Sequence, residues 1–310
     1  MKPRIAISIG DLNGVGIEIA LTSHEQVTLL CDPIYCVSKG MLTQAAKKLK
    51  MQIPHNFNTV DLSGDFIIEP GTISKESGLY SYHSFMKAIT LAEQCDVDAI
   101  TTMPIHKEAW SLAGLSYKGH TDLLRQHFKK DAIMMLGCEA LYVALYTEHI
   151  PLKEVSSFIT VEKLLPFLLD FHREIGKHTV AVLGLNPHAG DNGVLGNEER
   201  AITSAIEKAN RAIGKQIFIG PIVPDIAFTP AFRQKYTHMI AMYHDQGLAP
   251  LKALYFDESI NVSLNLPIIR TSVDHGTAFD IAYTGVAKTL SYINAIKAAL
   301  IFTNKIRREK

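Results

Sequence analysis

The sequence lacks several features that would assign it to a particular class of protein. Acidic and basic side chains balance at 31 each, so no basic excess indicates nucleic-acid binding and no acidic tract indicates a solvating tail. No apolar run is long enough for a membrane span, and no charged region followed by a long apolar core opens the chain. The four cysteines show neither C-x-x-C pairing nor zinc-ribbon spacing, which is typical of thiols in a reducing compartment. We therefore expect a cytoplasmic globular protein without a nucleic-acid or membrane partner.

The usual nucleotide-binding fingerprints are absent as well. Neither G-x-G-x-x-G nor the Walker motif G-x-x-x-x-G-K-[ST] occurs. A different glycine-rich turn, G-x-x-x-G-x-G at residues 10–16, lies between a predicted strand at residues 5–9 and a predicted helix that begins at residue 17. Its backbone N–H groups would suit an anion, but the glycines equally suit a tight connection between strand and helix. The turn alone leaves both interpretations open.

The order of predicted elements indicates the fold class. Apolar runs typical of strands alternate with segments of helical periodicity, which predicts an α/β protein. Residues 132–146 are typical of a hairpin around residues 137–139, so we expect mixed sheets flanked by helices. Residues 278 to the end are predicted to be mainly helical. No clean linker occurs, and we expect a discontinuous first domain, residues 1–130 plus 275–310, and a second domain, residues 131–274.

The most informative stretch is residues 242–252. An apolar run at residues 239–242 predicts a buried strand, and Gly247 and Pro250 predict a turn after it. His244, Asp245 and Gln246 would then lie at the carboxyl end of a strand, where ligands of α/β proteins gather. A histidine in an ordinary loop is the alternative interpretation.

Two more histidines occur in the same setting. His149 and His188 each follow an apolar predicted strand and precede a turn, as His244 does. If the three strands are neighbours, three imidazoles would meet at one edge of the sheet, which is how a catalytic divalent metal ion is held with one position open. The spacing in sequence does not by itself establish that they meet.

Other polar residues suit a small anionic substrate. His120 and Thr121 follow Gly119, and this segment would bind a phosphate or carboxylate, or else cap a helix. Cations and an amide follow the 242–252 stretch at Lys252, Asn261 and Arg270. Taken singly, each is equally well explained as a solvated surface group.

Four motifs, in this order along the chain, closely resemble the PdxA family of 4-hydroxythreonine-4-phosphate dehydrogenases. They are Gly119-His120-Thr121, Asn186-Pro187-His188-Ala189-Gly190, Tyr243-His244-Asp245-Gln246-Gly247-Leu248, and the nine residues from Arg270 to Ala278. The resemblance covers residues 10–287. It departs from the family pattern at Leu12 and Ile17, where the family usually has proline, and at Asp122, where it commonly has Glu.

The resemblance implies an isocitrate/isopropylmalate-dehydrogenase-like fold with the active site in an interdomain cleft. It implies an NAD(P)-dependent dehydrogenase that acts on a CH–OH group with the help of one divalent metal ion per active site (zinc, magnesium or cobalt). The expected reaction is oxidation of 4-phosphohydroxy-L-threonine to 2-amino-3-oxo-4-phosphonooxybutanoate, then decarboxylation to 3-amino-2-oxopropyl phosphate, in vitamin B6 biosynthesis. The expected assembly is a homodimer whose subunits share the metal site.

The resemblance also implies a role for individual residues. The metal ligands would be His149, His188 and His244. The phosphorylated substrate would be held by His120, Thr121, Lys252, Asn261 and Arg270. Lys252 would also take part in proton transfer, and Asp225 would tune the metal site. The cofactor would contact His275, Gly276, Thr277 and Asp280.

Two other functions remain open at this point. One is a paralogous dehydrogenase for threonate or erythronate 4-phosphate. The other is a non-catalytic protein that binds a metal ion or a phosphate.

Overall fold

The structure is a computed structural model that describes residues 2–309, with side chains as far as residue 304. Over those residues strands and helices alternate. The strands are β1 (Arg4–Ser8), β2 (Asp32–Cys36), β3 (Ala99–Thr102), β4 (Ile133–Cys138), β5 (Leu141–Leu145), β6 (Val180–Leu183), β7 (Phe218–Ile222), β8 (His238–Ala241), β9 (Ile260–Leu264) and β10 (Arg270–Val273).

The helices lie mostly between consecutive strands. They are α1 (Gly16–Leu30), α2 (Lys39–Leu49), α3 (Lys75–Glu93), α4 (Lys107–Leu112), α5 (His120–Phe128), α6 (Val161–Ile175), α7 (Glu198–Ile213), α8 (Pro224–Ala227), α9 (Pro230–Lys235), α10 (His244–Tyr255) and α11 (Leu290–Glu309). A 3₁₀ segment, Leu152–Phe158, follows β5, and a segment of consecutive turns, Pro187–Gly193, follows β6.

The chain forms two compact units, and the first contains residues 1–130 and 260–310. Its strands run in the order β2-β1-β3-β10-β9, with β9 antiparallel to β10 and the other pairs parallel. Alternation along β1 places Ile5 and Ile7 in a core with residues of α1 and α11, while Ala6 faces α3 on the other side of the sheet. Both faces are therefore covered, as a mainly parallel sheet requires.

The second unit contains residues 131–259. Its strands run in the order β4-β5-β8-β6-β7, with β4 antiparallel to β5 and the other pairs parallel. Helix α10 packs on β4, β5 and β8, and α7 packs on α6 and β7. Because β5, β8, β6 and β7 are parallel neighbours, their carboxyl ends lie along one edge of the sheet.

The α/β class with mixed sheets is thus confirmed, and so is the hairpin, which is β4 and β5. The boundary predicted at residue 275 is different: the chain returns to the first unit at Ile260. The physical reason is that β9 pairs with β10 and β10 pairs with β3, so both strands belong to the first sheet.

Two predicted elements were wrong. Residues 244–255 form helix α10, not a turn, and Pro250 lies inside that helix. Residues 274–289 are irregular, and the last helix begins only at Leu290. Within the irregular segment Ala278 and Tyr283 have φ values of 44° and 64°, which a right-handed helix excludes.

No helix in the described part of the chain is long and apolar enough to cross a membrane.

Candidate active site

The three candidate metal ligands follow three adjacent strands of the second unit. His149 comes after β5, His244 after β8 and His188 after β6, and these strands are neighbours in that order. Asp225 follows β7, the next strand along, and lies in the first turn of the short helix α8. The sheet therefore aligns all four side chains along the edge formed by the carboxyl ends of its parallel strands.

Two of the histidines lie close together. The ring centroids of His149 and His244 are 5.5 Å apart and the ring planes are inclined at 42°. His244 Nδ1 lies 2.7 Å from Asp245 Oδ1. A carboxylate that accepts from Nδ1–H leaves the lone pair on Nε2, orients the ring and makes it a stronger metal ligand.

His188 lies in a backbone of unusual conformation. Residues 188–192 have φ between 42° and 77°, so this segment turns as a left-handed helix. Among the described residues of a single chain, no three His, Cys, Asp or Glu side chains form a group suited to a metal ion. One chain thus brings His149 and His244 together, while His188 is held on the neighbouring loop.

Two polar residues, Gln246 and Thr147, bind the strand ends to one another, and we had not singled out Thr147. The Gln246 side chain accepts from the Met242 N–H at 2.7 Å and donates to the Gly184 carbonyl at 2.7 Å. Thr147 Oγ1 donates to the Met242 carbonyl at 2.6 Å. These bonds fix the loops after β5, β8 and β6 relative to one another. Gln246 lay inside the quoted motif, but only the order of strands reveals what it joins.

Lys252 lies two turns beyond His244 on the same helix, and its Nζ is 5.7 Å from the centre of the Phe256 ring.

In the first unit, Arg270 is a buried cation rather than a surface group. Its side chain is 2% exposed. Nη1 donates to Ser263 Oγ at 3.0 Å and Nη2 donates to Thr102 Oγ1 at 2.7 Å, while Nε has no partner. Burial lowers the Arg270 pKa to about 9. A buried guanidinium with donor capacity to spare is suited to an anion.

His120 and Asn261 carry further unsatisfied atoms in the same unit. His120 Nε2 and Asn261 Oδ1 are buried without hydrogen-bond partners. Burial, and then the charge of Arg270, lower the pKa of His120 well below its usual value, so the ring is neutral at pH 7. Asn261 pairs with Ser272 across β9 and β10, and Arg270 pairs with Ser263, so alternation places these side chains on one face of the sheet.

The helix-capping alternative for Thr121 is wrong. Helix α5 begins at His120, and its N-cap is Gly119 with φ 148° and no side-chain cap bond. His120 and Thr121 are therefore in the first turn of the helix, whose N–H groups favour anions. Buried unsatisfied atoms require a ligand or water. The spare Arg270 donor supports an anion, while Asn261 Oδ1 is an acceptor and suits a donor group of the same ligand.

The predicted cofactor residues lie in the irregular segment after β10. Thr277 is buried, Gly276 and Asp280 are exposed, and His275 Nε2 is buried without a partner. This segment packs against the glycine turn at residues 10–16, because the Val15 N–H donates to the Thr277 carbonyl at 3.0 Å.

The glycine turn itself serves close packing. A Cβ on Gly14 would lie 2.7 Å from the Thr277 carbonyl oxygen, and one on Gly10 would lie 2.3 Å from that of Pro104. The N–H groups of Asp11, Asn13, Gly14 and Val15 already have acceptors within the chain. The tight-connection interpretation therefore holds, and the anion cradle is not supported.

Comparison with known proteins agrees with this geometry. The chain matches the family described as "Pyridoxal phosphate biosynthetic protein PdxA" over residues 29–299. The chain belongs to the PdxA family. A curated relative from Sulfurimonas denitrificans, named 4-hydroxythreonine-4-phosphate dehydrogenase, is 65% identical over 98% of this chain and 99% of its own length. The resemblance inferred from the four motifs is thereby confirmed.

Solved structures give the same result for the fold. A 4-hydroxythreonine-4-phosphate dehydrogenase from Klebsiella pneumoniae superimposes with a TM-score of 0.84 at 34% identity, covering 98% of both chains. A beta-decarboxylating dehydrogenase from Thermococcus kodakarensis has a TM-score of 0.54 at 13% identity, covering 97% of this chain and 84% of that one. The second likeness concerns the fold alone, and it agrees with the expected relation of PdxA to that class.

The residues present fit the divalent metal ion that a PdxA dehydrogenase implies. The ring centroids of two imidazoles are 5.5 Å apart, one of the rings is oriented by a carboxylate, and a third imidazole follows the neighbouring strand. Neutral imidazole nitrogen is a preferred ligand of zinc and of several other divalent ions. For the nicotinamide cofactor, His275 Nε2 offers a ring nitrogen without a hydrogen-bond partner, and residues 276 and 280 beside it are exposed.

Proposed function

We propose that this PdxA protein oxidises 4-phosphohydroxy-L-threonine to 2-amino-3-oxo-4-phosphonooxybutanoate, which then loses carbon dioxide to give 3-amino-2-oxopropyl phosphate. Its family and the shared name of its relatives make it a dehydrogenase of pyridoxal phosphate biosynthesis. The single observation that carries the proposal beyond the name is the pairing of His149 and His244 at the carboxyl ends of adjacent parallel strands.

His149, His188 and His244 would hold one divalent metal ion, zinc, magnesium or cobalt. When bound, that ion would polarise oxygen atoms at the reacting carbon, and NAD or NADP would accept the hydride. The hydrogen bond between His244 Nδ1 and Asp245 would orient the His244 ring and leave the lone pair of Nε2 for the metal ion. Asp225, exposed at the end of β7, would tune the charge of the site.

Arg270, His120, Thr121 and Asn261 would hold the phosphorylated substrate, with Arg270 on an anionic group. Arg270 supplies a buried positive charge whose orientation Ser263 and Thr102 fix. His120 is neutral, so it donates or accepts one hydrogen bond without adding charge. Lys252 would contact the substrate and move a proton at its ammonium group. His275, Gly276, Thr277 and Asp280 would contact the cofactor.

A homodimer that shares the metal site accounts for the exposure of the candidate ligands. His149, His188 and Asp225 are all exposed. Large apolar side chains beside them are exposed too: Leu152 by 68%, Val194 by 77% and Ile226 by 50%. Apolar groups concentrated around polar ligands are typical of a surface that a second subunit covers. We also keep the prediction of a cytoplasmic enzyme without nucleic-acid or membrane partners.

The direct test follows NADH absorbance with purified protein, 4-phosphohydroxy-L-threonine and NAD, before and after chelation. We expect substrate-dependent NADH that chelation abolishes and added zinc, magnesium or cobalt restores. Equal rates after complete removal of metal would contradict the metal role. Threonate and erythronate 4-phosphates, assayed in parallel, test the paralogous activity, and metal uptake without NADH from any substrate would indicate a binding protein.

A further inference from the structure

The loop that carries His188 adopts a conformation that its sequence does not favour. Five consecutive residues, 188–192, are left-handed, and only one of them is glycine. Residues with a Cβ rarely adopt this conformation even singly, because the Cβ approaches the following carbonyl oxygen. Such a segment persists only when its surroundings determine it, and strained segments of this kind concentrate at functional sites.

The surroundings are supplied by Glu199, in the first turn of α7. This residue is 7% exposed. Oε1 accepts from the N–H groups of Leu185 at 2.9 Å and Asn186 at 2.7 Å, and Oε2 accepts from Asn186 Nδ2 at 3.0 Å. The same oxygen would lie 2.5 Å from a Cβ on Gly190, so the turn closes directly over the carboxylate. Glu199 therefore holds the backbone on which the strained turn begins.

The neighbouring Glu198 extends this hold to the loop after His149. Glu198 Oε2 accepts from Asn186 Nδ2 at 2.8 Å, and Oε1 accepts from Ser156 Oγ at 2.5 Å. Ser156 belongs to the 3₁₀ segment Leu152–Phe158, which begins three residues after His149. One pair of acidic residues thus connects the segments that carry two of the three candidate metal ligands.

The hydrogen bonds of Glu199 differ from those of an ordinary acidic residue at a helix start. An acidic first turn stabilises a helix by facing its own N–H groups or solvent. Glu198 accepts from the Asn197 N–H at the start of its own helix as well as from Ser156 and Asn186, whereas the buried Glu199 accepts from residues 185 and 186 of another segment. The sequence Asn197-Glu198-Glu199 would otherwise be typical of ordinary helix-start residues.

We infer that Glu199, assisted by Glu198, is a positioning residue for metal binding: it fixes the left-handed turn so that His188 is presented in the conformation that the metal ion requires. The inference rests on the proposed function, because His188 is there a metal ligand. It assigns no contact between either glutamate and the metal ion.

The test measures zinc affinity of full-length protein that has been stripped of metal, by competition with a chromophoric chelator. Loss of groups that orient metal ligands typically weakens metal binding about 10–100-fold, and we expect a loss in this range for Glu199→Gln. Glu198→Gln keeps the buried carboxylate and should show a smaller loss in the same direction. Glu207→Gln, an exposed glutamate on the same helix, is the matched control and should bind zinc as the wild type does.

Thermal unfolding of the metal-free proteins separates positioning from structural support. Weaker zinc binding by folded Glu199→Gln, measured below its unfolding midpoint, supports the inference. A lower midpoint with unchanged zinc affinity in both variants would show that the glutamates only stabilise the fold, and would overturn it. Wild-type protein that binds no zinc, cobalt or magnesium would overturn the proposed metal function itself, a result distinguishable from the other two.

Discussion

Arg270, which we propose as a substrate-binding residue, is held in a fixed orientation by the protein itself. Its guanidinium is buried, and Ser263 and Thr102 each hold one terminal nitrogen. The planar fork of arginine makes both bonds and still offers donors to an anion, whereas a lysine ammonium in the same space offers a point charge. Replacing Arg270 with lysine would therefore keep the positive charge and remove the geometry of the hydrogen bonds.

We expect Arg270→Lys to raise the KM for the phosphorylated substrate about 10-fold or more, since hydrogen bonds to charged groups contribute about 1.5–3 kcal/mol. The kcat should change less if the side chain binds the ground state and the transition state alike. Steady-state NADH kinetics give both constants. Arg211→Lys, at an exposed position, is the control, and an unchanged KM in Arg270→Lys would remove Arg270 from the substrate site.

A second prediction concerns the acid sensitivity of folding and a histidine outside the candidate active site. His238, at the start of β8, is 8% exposed and stacks on His178 with ring centroids 4.3 Å apart. Burial, and then His178, lower its pKa from 6.5 to about 4. The unfolded chain thus binds a proton at a higher pH than the folded chain does, so the free energy of unfolding falls as the pH drops from 6.5 to about 4.

The pKa shift corresponds to about 3 kcal/mol of stability lost across that interval. We expect His238→Gln to unfold in urea with a flatter pH dependence there, even if its stability at pH 7 is lower. His55→Gln, an exposed histidine in the first unit, should keep the wild-type slope. Parallel curves for wild type and His238→Gln would show that the acid sensitivity arises elsewhere.

Helix α10 illustrates where local sequence rules were overridden by packing. Gly247 and Pro250 are typical of a turn, yet both lie within this helix. A Cβ on Gly247 would lie 2.7 Å from Val143 Cγ1 and 2.9 Å from Ala241 Cβ, so glycine allows the helix to approach β5 and β8 closely. The same residue type serves chain reversal in one context and close approach in another, and a single sequence does not distinguish them.

We expect Gly247→Ala to destabilise the second unit although alanine favours helix. Overpacking costs about 1–3 kcal/mol, and the gain in helix propensity offsets up to about 1 kcal/mol. Urea unfolding should show the net loss, and zinc affinity should fall because the start of the helix carries His244. Gly276→Ala, which has open space and ordinary φ, controls for stability. Unchanged stability in Gly247→Ala would mean that β5 and β8 yield easily.

The parts of the fold that the sequence predicted are those set by local periodicity. The β4–β5 hairpin and helices α6 and α7 follow from alternation and from helical spacing of apolar residues. The irregular segment 274–289 was missed because its conformation depends on distant partners. The Tyr283 hydroxyl donates to the Leu12 carbonyl, and the Ala287 N–H donates to Glu18.

The candidate site likewise contains residues that the sequence predicted and residues that it did not. Histidines that follow strands identify positions along a sheet edge, because parallel strands end together. The residues that fix them, Gln246 and Glu199, act across strands whose order is a property of the whole fold. No spacing in the sequence relates Thr102 to Arg270, which are 168 positions apart and in contact.

The homodimer that we propose would complete the metal site that one chain leaves incomplete. His149 and His244 pair within a chain, while the described residues provide no third ligand that groups with them. If the third ligand of each site is His188 of the other subunit, as a shared site requires, two different inactive variants can complement each other. A dimer of one His188→Ala chain and one His244→Ala chain would contain one complete set of three histidines and one set that lacks two.

We therefore expect each variant alone to lose nearly all activity and the mixed protein to regain part of it. Random assortment makes half of the dimers mixed, each with one of two sites intact, so about a quarter of wild-type activity should return. The measurement is NADH formation by the co-expressed pair, with His244→Ala paired with His149→Ala as the control, since those two ligands come from the same chain and no complete set can form. Recovery in neither pair would place His188 in the same subunit's site, or outside the site, and would contradict a metal centre shared in this way.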